Sequence, residues 1–262
     1  MRSCAMTNEK EGQVSVAAFR LQALYEAMPQ HSSRSYEGPL AEQVYEHILT
    51  TLVFPPEGGE VQVGSKITES ELADKLQISN GPVREALFRL RQEGWIRTRP
   101  NRGSYLVDFS DRKIAAEIFR FRLSVETGAF YSLAEAITDA QLGELKNVVD
   151  ALNEASGRAA IADFRKADIE FHLKVVEFAG GQALKAVYRP KLLQWYAMAY
   201  HVLKQTLGNE NWKRHLEVPA TSHSRLYGCL AQHNPAEAAQ VISRHFDYIA
   251  HILEIGRAST NR

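Results

Sequence analysis

The chain is poor in cysteine: Cys4 and Cys229 are its two cysteines in 262 residues, and they lie far apart. That excludes a disulfide framework, a CxxC redox pair and a cysteine-built zinc knuckle, and it suits a reducing cytosol. Long apolar runs are missing as well. None approaches the roughly 20 residues of a membrane-spanning helix. The opening "MRSCAMTNEKEGQVSVAAFRLQALYEAM" places acidic residues before its apolar positions and has no extended hydrophobic region, so no secretory signal is expected. Net charge is also absent, because 31 Lys plus Arg balance 31 Asp plus Glu. Bulk charge therefore gives no argument for nucleic acid. There is no internal repeat. The 45% hydrophobic content is enough for one large or two ordinary globular domains, expected in the cytoplasm and without a membrane partner.

The charge is unevenly spread. Between Lys75 and Ser104 stand Lys75, Arg84, Arg89, Arg91, Arg97, Arg99 and Arg102 against Glu85 and Glu93, a local excess of five positive charges. Such a concentration is either a solvated basic face or the footprint of a phosphate-binding surface. Order and spacing around it favour the second. From Pro39, a good first helical residue, the apolar positions Leu40, Val44, Ile48 and Leu52 recur every four residues and predict an amphipathic helix. The "FPPEGGE" cluster, continuing to Gly64, makes a loop. Thr68 and Glu71 in "TESELADKL" have the spacing of a capping box, with Leu72 and Leu76 on the buried side. "QIS" then breaks the chain for the few residues of a helix-turn-helix. Ser79 can cap a next helix in which Val83, Ala86, Leu87 and Leu90 face inward and Arg84, Arg89 and Arg91 face out. Gly94 stops that helix, and "WIRTRPNRGSYLVDF" predicts two strands around the turn "PNRG".

Three helices and a basic hairpin make a winged helix-turn-helix over residues 39–108. The second helix of such a motif enters the major groove by its N-terminal end, which here presents Ser79, Asn80, Gly81 and Arg84. Arg84 can offer two donors to guanine and Asn80 can pair both ways with adenine. Arg97, Arg99 and Arg102 in the wing would follow the backbone or a minor groove, and Gly103 lets the turn come close.

After Asp108 the pattern is helical throughout, with helices expected over 110–136, 139–155, 158–178, 183–207, 214–232 and 235–255 and Pro190 kinking or splitting the fourth. The expected fold is mainly α: a winged helix-turn-helix joined to an all-helical bundle over 109–255. Residues 1–38, with a helix-capable piece at Val16–Met28, form an arm or linker, and 256–262 form a tail. In the bundle, Asp168 and His172 are four apart and project from one helix face. His223 and His245 lie about equally far on either side of the break "HNP", where Asn234 can cap and Pro235 can start a helix. In an antiparallel hairpin they return to one level. The four could meet inside the bundle, and imidazole with carboxylate suits zinc first, then nickel, manganese or iron.

Two resemblances follow from these motifs. "TESELADKLQISNGPVREALFRLRQEGWIRTRPNRGSYLV" resembles the DNA-binding domain of the GntR family of bacterial transcription regulators. The chain departs from it in Asn80, where an arginine is usual after the capping serine, and in a longer link between the first two helices. The "DxxFH" pattern around Asp168, then "EFAGGQAL", then histidines on the last two helices, resembles the FCD effector domain of the FadR subfamily. That second resemblance implies a divalent metal on Asp168, His172, His223 and His245, with the remaining coordination positions facing a cavity for a small carboxylic acid. Arg122 matches the arginine of the family's "RxxxE" helix and could hold the effector carboxylate as a fork; it could equally pair with Glu126, four residues on. Trp195, Tyr196, Tyr200 and His201 share one helix, mostly as core, and would make a ring-bearing acid fit.

The expectation is a homodimeric, ligand-responsive DNA-binding regulator, a repressor at an inverted-repeat operator, and not an enzyme. Three other roles compete: the ion itself as the signal, a metal that merely braces the bundle, and a metal-dependent hydrolase. The last lacks an acidic general base beside the ligands, since Glu170 faces another way.

Overall fold

A computed structural model describes residues 39–54, 64, 66–100, 102–108, 111–207 and 212–253. The Val16–Met28 helix, most of the "FPPEGGE" loop, the C-terminal tail and the side chains of Tyr200 and His201 lie outside them. The chain divides into two compact units, Met1–Asp108 and Phe109–Arg262.

The first unit runs α1 (Leu40–Val53), β1 (Lys66–Ile67), α2 (Glu69–Leu76), α3 (Asn80–Gln92), β2 (Ile96–Arg99) and β3 (Gly103–Leu106). Its core lies where α3 packs on α1: Val83, Leu87 and Leu90 of α3 and Tyr45, Ile48 and Leu49 of α1 are buried, as are Trp95 and Ile96. The wing is a three-stranded antiparallel sheet in the order β1-β3-β2, with Arg97 opposite Tyr105 and Arg99 opposite Gly103. The short β1 is one strand more than the sequence pattern predicts. Two residues carry no periodicity, and only pairing with β3 makes them a strand.

Three local expectations are corrected. Thr68 occupies the N-cap position of α2, but its hydroxyl is buried without a partner, so no capping box forms with Glu71. Glu69 and Glu71 in the first turn supply negative charge to the free amides instead. Ser79 stands at the N-cap of α3 in extended conformation and likewise makes no side-chain cap bond. Arg89 does not face solvent freely: its guanidinium lies 3.6 Å over the Tyr45 ring, Nε donates to Glu93 at 3.1 Å and another nitrogen meets Glu42 of α1. It fastens α3 to α1.

The second unit is helical: α4 (Arg112–Ala136), α5 (Asp139–Gly157), α6 (Ile161–Leu207), α7 (Trp212–Ala231) and α8 (Pro235–Ile252). Helix α4 packs on α6 and α8, α5 on α6 and α7, and α7 on α8. Phe130, Phe171, Leu152, Leu226, Ile242 and Phe246 are fully enclosed between them. Real caps set the ends. Thr138 and Gln141 form a reciprocal capping box at α5, and Asn234 accepts from the Glu237 amide with Pro235 in the first turn of α8. The two helices expected over 158–178 and 183–207 are the two halves of α6, which meet at a kink where Gly181 leaves helical geometry, at φ 72° and ψ −173°. That left-handed φ suits glycine, so the turn falls there. Pro190 does not split the helix, since Gly181 is where non-helical backbone falls.

Candidate DNA-reading face and buried histidine site

On the first unit, each of the residues expected at DNA is exposed. Asn80, Arg84 and Phe88 are spaced by four along α3 and so share a stripe, with Gly81 and Ser79 at its N-terminal end, all exposed. Nothing lies within 4 Å of a Cβ placed at Gly81. Arg84 donates to Glu69 at 3.0 Å, with its side chain 70% exposed. An exposed pair of this kind contributes little stability, so Arg84 is free to exchange it for a base edge. In the wing, Arg97, Arg99 and Arg102 are exposed. Arg99 stacks over Tyr105 at 4.9 Å, and the Tyr105 hydroxyl donates to the Arg102 carbonyl at 2.7 Å, which holds the turn. Gly103 has φ +95° and sits 3.0 Å (as a notional Cβ) from the Lys66 side chain, so both conformation and room favour glycine. Phe88 carries no charge to mark it in the sequence. It is 55% exposed, a large apolar side chain on the stripe of Asn80 and Arg84.

In the second unit, His172, His223 and His245 are buried, and one ring nitrogen from each lies within 4.8 Å of the others. Asp168, one turn before His172 on α6, joins them. Its Oδ1 is 2.9 Å from His223 Nε2 and 3.4 Å from His172 Nε2. The two Nε2 atoms are 3.2 Å apart. Neighbouring groups decide where the ring protons sit. His223 Nδ1 donates to the Pro219 carbonyl at 2.6 Å, and His172 Nδ1 faces Glu126 Oε2 at 2.6 Å. With protons on the Nδ1 positions, rings in the neutral form carry lone pairs on Nε2. Two bare nitrogens and a carboxylate oxygen then converge without a donor among them, and Asp168 Oδ1 has no hydrogen-bond partner. A cation resolves that arrangement. Two nitrogens at the ~2.0–2.1 Å of zinc ligands in a tetrahedral angle stand about 3.3 Å apart, close to the observed spacing.

The electrostatics ready Asp168 and His245 for a cation, while His172 holds a proton that a cation would have to displace. Burial alone would raise the Asp168 pKa, but His223 and His172 hold it well below the usual carboxylate range, so it is ionised. Burial, reinforced by the other two rings, pushes His245 well below the ordinary imidazole value and keeps it neutral. Burial opposes charge on His172 too, yet Glu126 and Asp168 overcome it and raise its pKa. Burial would raise Glu126, but Arg122 and His172 lower it to about 2.

Beside the histidines lies a cavity of about 90 Å³ lined by Arg122, Asp168, Trp195, Tyr196, His215 and His245, among others. Arg122 is 1% exposed and its Nε donates to Glu126 at 2.8 Å, while both terminal nitrogens are buried without a hydrogen-bond partner. The two roles the sequence left open for this arginine are therefore compatible. One edge of the guanidinium meets Glu126, and its face lies over the Trp195, Tyr196 and Phe246 rings at 5.2, 5.7 and 5.1 Å, which leaves its terminal nitrogens without an aligned hydrogen bond.

The chain's relatives decide its class. The family model of the FCD domain matches residues 117–248, half of the chain, and that of the bacterial regulatory proteins of the gntR family matches residues 40–106. The chain belongs to the GntR family, with an FCD domain. GntR/FCD proteins are DNA-binding transcription regulators, not enzymes. Among curated relatives, this GntR protein is 25% identical to the Nta operon transcriptional regulator of Aminobacter aminovorans over 72% of its own length and 87% of the relative. It is 28% identical to the HTH-type transcriptional repressor RspR of Escherichia coli over 55% of this chain and 61% of that one. Among solved structures it matches E. coli McbR/YncC with a TM-score of 0.68, at 20% identity, over 83% of this chain and 98% of that one, a likeness of fold. Among the described residues, no helix of the GntR protein is long and apolar enough to cross a membrane.

Proposed function

We propose that this GntR regulator is controlled by a small carboxylic acid captured beside a divalent metal ion in its FCD unit, and that it acts as a homodimeric repressor on an inverted-repeat operator. The observation that carries the effector reading is Arg122, whose buried terminal nitrogens make no aligned hydrogen bond, on the wall of a cavity that also reaches Asp168 and His245. Unpaired buried donors are costly, by about 1–3 kcal/mol each, and a carboxylate is the group that matches a guanidinium fork. Asp168, His172, His223 and His245 would hold the ion, zinc first among the metals their chemistry suits. When bound, it supplies positive charge next to Arg122, so one end of an anionic ligand meets both. At about 90 Å³ the cavity takes a compact acid. A ring-bearing one would need the Trp195 and Tyr196 side chains to move.

At the other unit, Asn80, Arg84 and Phe88 would read base edges and Arg97, Arg99 and Arg102 would hold phosphates. Repression is supported by the name of the E. coli relative, and the dimer by the two-fold symmetry of inverted-repeat sites. Helix α4 carries Arg122 and Glu126 and begins at Arg112, just beyond the DNA-binding unit. An effector that favours one placement of α4 biases DNA binding to the extent that its affinity differs between the states. The test is metal analysis of the purified protein, followed by a thermal-shift screen of small carboxylic acids with and without chelator. Acids that raise the melting temperature only with metal present support the reading. Shifts untouched by chelation would refute metal-assisted capture, and operator affinity that follows metal alone would make the ion the signal.

A further inference from the structure

The buried carboxylate of Glu126 has a wider set of partners than a helix ion pair requires. It is fully enclosed, at 0% exposure. Its Oε1 accepts from Arg122 Nε and from the Tyr188 hydroxyl, which lies beyond the Gly181 break of α6. Its Oε2 lies 2.6 Å from His172 Nδ1, a close ionic contact that a small ring rotation would align as a hydrogen bond. A buried ion pair rarely repays its own desolvation, so pairing with Arg122 alone is a weak reason to enclose this charge. The use of the second oxygen supplies a stronger one.

We propose that Glu126 is the positioning residue of the histidine site: it holds His172 with Nδ1 protonated and Nε2 bare toward the ion, and it shares its charge between that ligand and Arg122. This rests on the metal reading above. Without the carboxylate, His172 can take the other tautomer and donate from Nε2 to Asp168 Oδ1, 3.4 Å away. A proton would then stand where the ion binds. Carboxylate partners of this kind orient a metal-bound imidazole and raise its basicity, and losing one typically costs ~10–100-fold in metal affinity. Arg122 has the opposite influence. Its cation draws on the charge that Glu126 would otherwise lend to His172, so the metal site and the carboxylate-binding fork are linked through one side chain.

Glu126→Gln alone leaves Arg122 buried and uncompensated, Arg122→Met alone does the same to Glu126, and either risks unfolding; the double variant Arg122→Met/Glu126→Gln strands no charge and is compared with both Arg122→Met and the wild type, so that it carries the test even if the single variant does not fold. Zinc dissociation constants of the full-length protein are measured by competition with a fluorescent chelator, alongside the visible spectrum of the cobalt(II) form and the melting temperature without metal. Arg122→Met should bind zinc a few-fold (about two- to fivefold) more tightly than the wild type, and the double variant about 10–100-fold more weakly than Arg122→Met, with an altered cobalt spectrum. A merely structural pair would move the metal-free melting temperature and leave zinc affinity and the cobalt spectrum in place. Zinc affinities of the two variants within about twofold of each other, a gap well below the ~10–100-fold cost of a lost carboxylate partner, would overturn the role of Glu126 while leaving the metal site standing. A wild type that binds no zinc would overturn the metal reading and this inference with it.

Discussion

Removing His223 is the sharpest test of the histidine site. The ring is fully buried, donates from Nδ1 to the Pro219 carbonyl at 2.6 Å, and brings Nε2 to 3.2 Å from His172 and 2.9 Å from Asp168. Ion binding to the native state stabilises it by RT ln(1 + [L]/Kd), about 2.7 kcal/mol when free zinc is a hundred times Kd. For a domain of this size each kcal/mol moves the midpoint by ~2–4 °C, so zinc should raise the wild-type melting temperature by roughly 5–11 °C. His223→Ala loses one of four ligands and the contact that orients it. A hundredfold weaker site at the same zinc concentration leaves only RT ln 2, about 0.4 kcal/mol, which is a shift of ~1–2 °C. The measurement is differential scanning calorimetry of both proteins with chelator and with buffered zinc. The difference between the two zinc-induced shifts is the quantity of interest, because it cancels the general cost of emptying a buried position. Equal shifts in wild type and His223→Ala would refute the site as drawn.

Arg84→Ala should weaken operator binding about tenfold to a hundredfold at fixed salt without lowering the melting temperature, since its present partner is an exposed glutamate; a mobility shift against DNA selected by the wild type would read this. Phe88→Ala should cost about three- to tenfold and relax preference at a single thymine-bearing position, as expected of a lost methyl contact; unchanged selection profiles would remove Phe88 from the reading face. Acid should weaken zinc binding. The His172 pKa is raised, so below that value the metal-free site holds a proton that the ion must displace, and apparent affinity should fall by about tenfold per pH unit for that single proton. Asp168 stays ionised throughout and adds nothing to the slope. Zinc competition titrations from about pH 8 down to about pH 5.5 would show it, and an affinity flat with pH would count against His172 as a ligand.

Much of the site could be read from local spacing. Asp168 and His172 share a helix face at four residues, and the return of His223 and His245 to one level follows from the Asn234–Pro235 break; the structure brings all four together. Phe88 was legible too, as the next position on the stripe of Asn80 and Arg84, but attention to charge passed over an apolar residue. Other features had no local signature. Tyr188 is 62 residues from Glu126, and no period links them. The capping boxes show the limit in the opposite direction: Thr68 has the motif without the bonds, while Thr138 and Gln141 make them. Hydroxyl orientation depends on what packs over the turn.

The sequence by itself determined the helices, the basic hairpin, the boundary near Asp108 and which side chains could ligate a metal, because periodicity, breakers and residue chemistry act over one or two turns. Tertiary structure alone decided how those groups are shared. Packing α4 against α6 gave Glu126, already paired with Arg122 on its own helix, a second partner in His172 and set Arg122 at the wall of a cavity, while packing α3 on α1 turned Arg89 from a surface charge into a clamp on Tyr45. Burial makes such choices, since an enclosed charge must find its partners among whatever other helices bring to it.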